Sequence, residues 1–245
     1  RWKNCRRKGK IIMTRRTKQY FLICFLCFML SLVIGLVVKF SFHGYRDFQS
    51  METKENLSKY QLQIMETNNE SVFLKTKNLK KIKKQSDEFL RVKVLKERKL
   101  YRDVTRTKVK IEKVYKSFDH RKEKETIWID EPAAFMKSYG EIYDSVEGYQ
   151  LMNDGEEYDV FLNSEKVIRG YKKSENEKRS YLPSTTKYSI YPVKNRKQKE
   201  ILSQKKLDNG EYSYGKIKNY YILTTRLEEL KQYMENKKEL KQVYR

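Results

Sequence analysis

An α+β fold is predicted for this 245-residue chain: a single N-terminal transmembrane helix, a helical stalk, and a small domain of mixed antiparallel sheet with two or three helices. Three observations predict it. An uncharged apolar run fills 20–38, a lysine-rich stretch without Pro or Gly fills 45–100, and strand-like and helix-like periodicities alternate after 101.

Charge separates the first part from the rest. The chain carries 55 Lys and Arg against 32 Asp and Glu, a formal charge of +23, yet 1–40 contain no acid. One apolar run excludes a multipass transporter. The three cysteines all lie before residue 28, which excludes a disulfide scaffold. A hydrophobic content of 38% excludes a wholly disordered chain and leaves room for one modest folded domain.

The run 20–38 spans about 28 Å as a helix, close to the hydrocarbon thickness of a bilayer. It ends Val37-Val38-Lys39-Phe40-Ser41, with no small-x-small cleavage pattern, so it reads as an uncleaved signal anchor over 20–40. Arg15, Arg16 and Lys18 form the core of a basic flank that keeps the N-terminus cytoplasmic and the C-terminal part outside. The tail is 1–19. Its segment Arg6-Arg7-Lys8-Gly9-Lys10 can be encoded by purine-rich codons like a ribosome-binding site, so translation is expected to start at Met13; the alternative is a native basic tail. Cys24 and Cys27 form a C-x-x-C inside the apolar run, where buried small hydrophobes are the simpler reading than a metal or redox pair.

A helical stalk is expected over 41–100. Leu57, Tyr60 and Ile64 share one helical face, as do Leu79, Ile82 and Phe89, and the stalk is expected to pair weakly as a coiled coil; the clean heptads of a strong one are absent. Six lysines crowd ten positions: Lys75, Lys77, Lys80, Lys81, Lys83 and Lys84. They are the candidate site for an anionic polymer or lipid headgroup, set against an ordinary solvated face. No arginine-aromatic interleaving accompanies them, so nucleic acid is not the expected partner.

The extracytoplasmic domain is expected over 101–245. Thr105, Thr107, Val109 and Ile111 alternate with charged residues as in a half-buried strand, and 126–129 form a second strand. Pro132, Ala133, Phe135, Met136, Tyr139, Ile142, Tyr143 and Val146 are spaced as a helix that Gly148 closes. Asp154-Gly155 predicts a hairpin between strands 149–152 and 158–162. Further strands are expected at 167–171 and 188–193 around a mobile 172–179 loop, then a helix over 197–207 and a bent strand or hairpin over 212–225. Thr225 and Glu228 make a capping box for a last helix over 227–243, with Leu227, Leu230, Met234 and Leu240 on its apolar face.

Chemistry is sparse. The only histidines are His43 and His120, and no phosphate loop, H-E-x-x-H or G-x-S-x-G occurs. Three S-x-x-K matches, Ser184–Lys187, Ser203–Lys206 and Ser213–Lys216, lack the companion motifs of serine acyltransfer and occur at the chance rate for so lysine-rich a chain. Asp154, Glu156, Glu157 and Asp159 lack the spacing of a calcium loop, and Asp130-Glu131 fits a helix-start dipole complement. No catalytic residue, cofactor or metal site is therefore expected. Fourteen of nineteen tyrosines lie after residue 138, and Tyr188, Tyr191, Tyr212, Tyr214, Tyr220 and Tyr221 form a candidate aromatic interaction patch, set against half-buried sheet residues.

These features predict a bacterial single-pass membrane protein that serves as a structural or interaction component of a cell-envelope assembly of the secretion, conjugation or division type. Its expected partners are envelope proteins, with homo-oligomerisation through the span or stalk. The competing expectations are a binding module for anionic envelope polymers and, behind it, an envelope hydrolase.

Overall fold

The computed structural model describes residues 15–41, 46–66, 72–101, 103–137, 140–196, 198 and 200–244. It divides into two units, Arg1–Gly44 and Tyr45–Arg245.

The first unit contains helix α1, Arg15–Ser41. Within it Gln19–Val38 carries no charged residue and is long and apolar enough to cross a membrane. Its apolar side chains point outward around the whole helix, as required where lipid rather than protein is the surrounding medium. The hydroxyl of Ser31 is satisfied inside the helix, donating to the carbonyl of Phe28 at 2.8 Å.

The second unit begins β1 (Arg46–Asp47), α2 (Phe48–Lys54), a 3-10 turn at Leu57–Lys59, β2 (Gln61–Met65) and α3 (Leu79–Gln85). Five strands follow: β3 (Glu88–Leu100), β4 (Thr105–Ser117), β5 (Thr126–Glu131), β6 (Ala133–Met136) and β7 (Ile142–Val146). Then come β8 (Glu157–Ser164), β9 (Ser180–Pro183), β10 (Ile190–Pro192), the short helices α4 (Gln204–Asp208) and α5 (Tyr214–Ile217), and the long α6 (Leu227–Val243).

The main sheet runs β1-β3-β4-β5-β9-β8-β10, and β8 also pairs with β3. The ring β3-β4-β5-β9-β8 is thereby closed into a barrel. All its pairings are antiparallel except β5 with β9. This circuit is that of the five-stranded Greek-key barrels called OB-type, a statement about connectivity and not about activity. Register shifts between Phe89/Leu90, Arg91/Val92 and Val94/Arg98 let β3 bend enough to serve two neighbours. A small second sheet, β2-β7-β6, holds β2 parallel to β7.

Alternation fills the barrel. Leu90, Val92 and Val94 of β3, Val109 and Ile111 of β4, Ile127 and Ile129 of β5, and Val160 and Leu162 of β8 are buried in one cluster. A second cluster lies on the outer side of β8, where α3 and α6 meet Phe89, Phe161, Tyr188, Tyr191 and Tyr221. Phe89 stacks on Phe161 with ring centroids 4.3 Å apart. From α6, Leu230, Tyr233, Lys237 and Leu240 enter this cluster at helical spacing.

Several expectations need correction. The stalk expected over 41–100 is not seen. Residues 46–66 and 72–100 contribute two short helices, a 3-10 turn and three strands to the second unit. Arg91 and Lys93, between Leu90, Val92 and Val94, make that strand look polar when read as a helix. The helix expected from Pro132 to Gly148 is instead the β6–β7 hairpin, with Phe135 opposite Tyr143 and Met136 opposite Ile142. Gly140, at φ +134°, lies in the connection; Tyr139 is outside the described residues. Strand β8 pairs with β3, β9 and β10, whereas 149–152 is a buried irregular segment, so the hairpin expected at Asp154-Gly155 does not form. The turn hydrogen-bonds to β3 instead, through Gly155 N–H to Val94 O and Val94 N–H to Glu156 O.

Residues 165–176 contain no strand, and 212–225 hold the short α5 rather than a long strand. Only α4 appears in the described part of 197–207. Helix α6 is where expected, but Leu227 and Met234 are exposed and Tyr233 and Lys237 take their place inside. The capping box is not formed: α6 starts after Arg226 without a side-chain cap, and just ahead of it the Thr224 hydroxyl accepts from Arg226 N–H and donates to Glu229.

Candidate functional site

A cleft of about 730 Å³ opens beside α2 and α5, with Phe48, Glu55, Arg98, Asp154, Tyr214 and Lys218 among its lining residues. At its floor the end of β3 places Arg98, 2% exposed, against wholly buried Glu131 from the end of β5. Arg98 Nη1 lies 3.9 Å from Glu131 Oε1, and Nη2 lies 2.7 Å from Asp154 Oδ1. Nη2 also donates to the carbonyl of Met152.

Glu131 is held from every side. It accepts from the Thr107 hydroxyl, the Tyr149 hydroxyl at 2.9 Å and the Met152 N–H at 2.8 Å. Burial pushes its pKa up, opposed by Arg98 and these three hydrogen bonds. Burial works against the charge on Arg98, but Glu131 and Asp154 outweigh it and its pKa is raised. The cluster joins β3, β4, β5 and the 149–154 segment. Both charges are consumed internally, so its chemistry is that of a structural clamp.

The lysines singled out by the sequence divide. Lys75 is ion-paired with Glu147, and Lys83 donates to the Tyr244 hydroxyl at 2.6 Å. Lys77, Lys80, Lys81 and Lys84 are exposed on and just before α3. The tyrosine patch does not assemble. Tyr188, Tyr191 and Tyr221 belong to the second core cluster, while Tyr212, Tyr214 and Tyr220 pack half-buried against the barrel core. Arg15, Arg16 and Lys18 all lie at the start of α1, and Cys24 and Cys27 are exposed further along it. Cys5 and His43 lie outside the described residues.

The remaining catalytic candidates are committed elsewhere. Ser184 shares a 2.7 Å hydrogen bond with Ser86, while Lys187 pairs with Glu229 at 2.7 Å. Three of the four acids at 154–159 face separate arginines, Asp154 Arg98, Glu156 Arg196 and Asp159 Arg91, while Glu157 is exposed at the start of β8. Asp130 binds Arg106 through both oxygens, at 2.6 and 2.8 Å. Among the described residues no group of three or more His, Cys, Asp or Glu is placed to hold a metal ion.

Two features escaped the sequence reading. The first is Lys237, which α6 carries into the second core cluster, where its ammonium donates to the carbonyl of Pro192. Burial, then Lys241 and Arg196, lower its pKa to about 7. The unfolded chain therefore binds the extra proton between pH 7 and the ordinary lysine value, and stability rises with pH through that window. Between pH 7 and 9, below tyrosine titration, the contribution is about 1 kcal/mol per pH unit. Urea unfolding across this range is expected to show that rise in the parent protein, and a flatter profile in Lys237→Met.

The second is the outer face of β3, β4 and β5. Cross-strand register sets Lys99 opposite Arg106, Arg106 opposite Asp130, and Lys108 opposite Trp128. Lys99 Nζ lies 4.9 Å and Lys108 Nζ 5.5 Å from the centroid of the half-buried Trp128 ring. No local sequence signal marks Trp128; it sits in a short apolar run, and only the strand pairing brings the lysines to it.

No protein-family model, no curated protein and no solved structure matches this chain.

Proposed function

We propose that the chain is a single-pass membrane-anchored interaction protein of a cell-envelope assembly, with its N-terminus cytoplasmic and the barrel unit outside. The observation that carries this reading is α1: Gln19–Val38 is uncharged and apolar on every face, and Arg15, Arg16 and Lys18 stand at its start. An apolar helix of this length is compatible with a membrane anchor, and the basic flank favours the stated orientation. The barrel supplies a rigid unit with charged outer faces, suited to contact with partners.

Topology is the test. A protease-sensitive tag placed after Arg245 is expected to be cleaved from outside in intact cells, with the protein in the membrane fraction. A protected tag on a membrane-bound protein overturns the orientation, and recovery in the soluble fraction overturns the anchor. Gentle detergent extraction is expected to co-purify envelope proteins; a solitary monomer would count against the assembly role.

A further inference from the structure

We propose that the outer face of β3–β4–β5 around Trp128 binds an anionic glycan, a sugar polymer bearing a carboxylate or phosphate on its rings. This deepens the interaction role by naming a partner class, and rests on that reading only for where the polymer is met.

The face combines three kinds of group that such a polymer needs. Trp128 is half-buried, and the part of its ring that Lys99 and Lys108 leave uncovered is what the apolar side of a sugar would meet. Lys99 and Lys108 hold ammonium groups within 5.5 Å of that ring, so an anionic substituent on a stacked sugar meets positive charge immediately. Asp130 and Glu97 stand beside them, bound to Arg106 and Lys108, and their carboxylates accept hydrogen bonds from sugar hydroxyls.

The mixed charge selects among polyanions. A nucleic-acid strand has a phosphate at every step and few hydroxyls, so the carboxylates of Asp130 and Glu97 oppose it. A polyhydroxylated chain uses both signs. This surface is separate from the exposed lysines of α3.

The full chain in detergent is the material for the test. Trp2 and Trp128 are the only tryptophans, so a Trp2→Phe background makes emission a direct report on the face. Titration with polygalacturonate or phosphorylated dextran is expected to change that emission, with affinity falling at least tenfold between 50 and about 200 mM salt. Neutral dextran is expected to leave it unchanged. Lys99→Gln with Lys108→Gln is expected to weaken binding at least tenfold, with thermal unfolding checked in parallel. Lys80→Gln, Lys81→Gln and Lys84→Gln together are expected to preserve it.

No emission change with either polymer overturns the proposal. So does a loss confined to the α3 variant, or tighter binding of oligo(dT) than of both glycans. If the double lysine variant loses its fold, Arg106 and Asp130 exchanged as a pair provide the second readout: binding altered with unfolding unchanged supports the face, and binding unaltered overturns it. Because the assay uses purified protein, a wrong topology leaves its result intact, and a failed titration leaves the topology result intact.

Discussion

Arg98→Ala is expected to lower the stability of the Tyr45–Arg245 unit by about 3–5 kcal/mol, because it strands Glu131 as a buried carboxylate without its countercharge. The three hydrogen bonds that Glu131 accepts were formed to a charged group, and they do not replace the guanidinium. Asp154 loses its 2.7 Å partner as well. At pH 7, urea unfolding should show the midpoint falling with little change in slope. A double replacement, Arg98→Met with Glu131→Gln, removes both charges of the pair while keeping an amide oxygen for the donors on Thr107, Tyr149 and Met152, and is expected to recover part of the loss. A single variant as stable as the parent would show that the cluster is not a clamp.

Gly148→Ala is expected to cost at least about 4 kcal/mol and to prevent folding in most preparations. Gly148 has φ +80°, and a Cβ there would lie 1.9 Å from the carbonyl oxygen of Leu223. The same glycine accepts the Leu223 N–H at 3.0 Å, so the two backbones cannot separate without losing that bond. Gly155 is the control. Its φ is +73°, but a Cβ meets nothing within 4 Å, so Gly155→Ala should cost only the 1–2 kcal/mol of the left-handed conformation. Thermal unfolding of the two variants side by side separates contact from conformation. Equal losses would refute the contact argument.

The α+β class, the apolar N-terminal helix, the strands from Thr105 and Thr126, and the last helix are legible, because each carries its own periodicity or an uninterrupted run. Strand β3 was legible in principle, since Leu90, Val92 and Val94 alternate with Arg91 and Lys93. Its setting in a lysine-rich, glycine-free stretch favoured the helical reading instead. The Pro132–Gly148 segment defeats local reading for another reason. Apolar residues at three- and four-residue spacings satisfy a helix, and only the pairing of Phe135 with Tyr143 decides for a hairpin.

The site residues were less legible still. Tyrosines that alternate along the chain suggest a surface, yet Tyr191 and Tyr233 stack on each other at 4.7 Å inside the second cluster. Each tyrosine carries enough apolar area to be drawn inward once a partner helix covers it. Conversely, Arg98 and Lys237 look like ordinary surface charges in the sequence and are among the buried residues. Their burial depends on groups 33 to 56 residues away in the chain, Glu131 and Asp154 for one and Pro192 for the other, and nothing local announces it.

The parallel junction of β5 with β9 is the thinnest seam of the barrel. Strands β3 and β4 are joined by 101–104 and can zip from that turn at little entropic cost. The closing pair, Trp128 with Ser180 and Ile129 with Tyr181, must wait for a chain segment some fifty residues further on. Only two residue pairs hold this seam, against ten between β3 and β4. The barrel is therefore held firmly along one hairpin and thinly along one seam, and the tryptophan strand lies on the thin side.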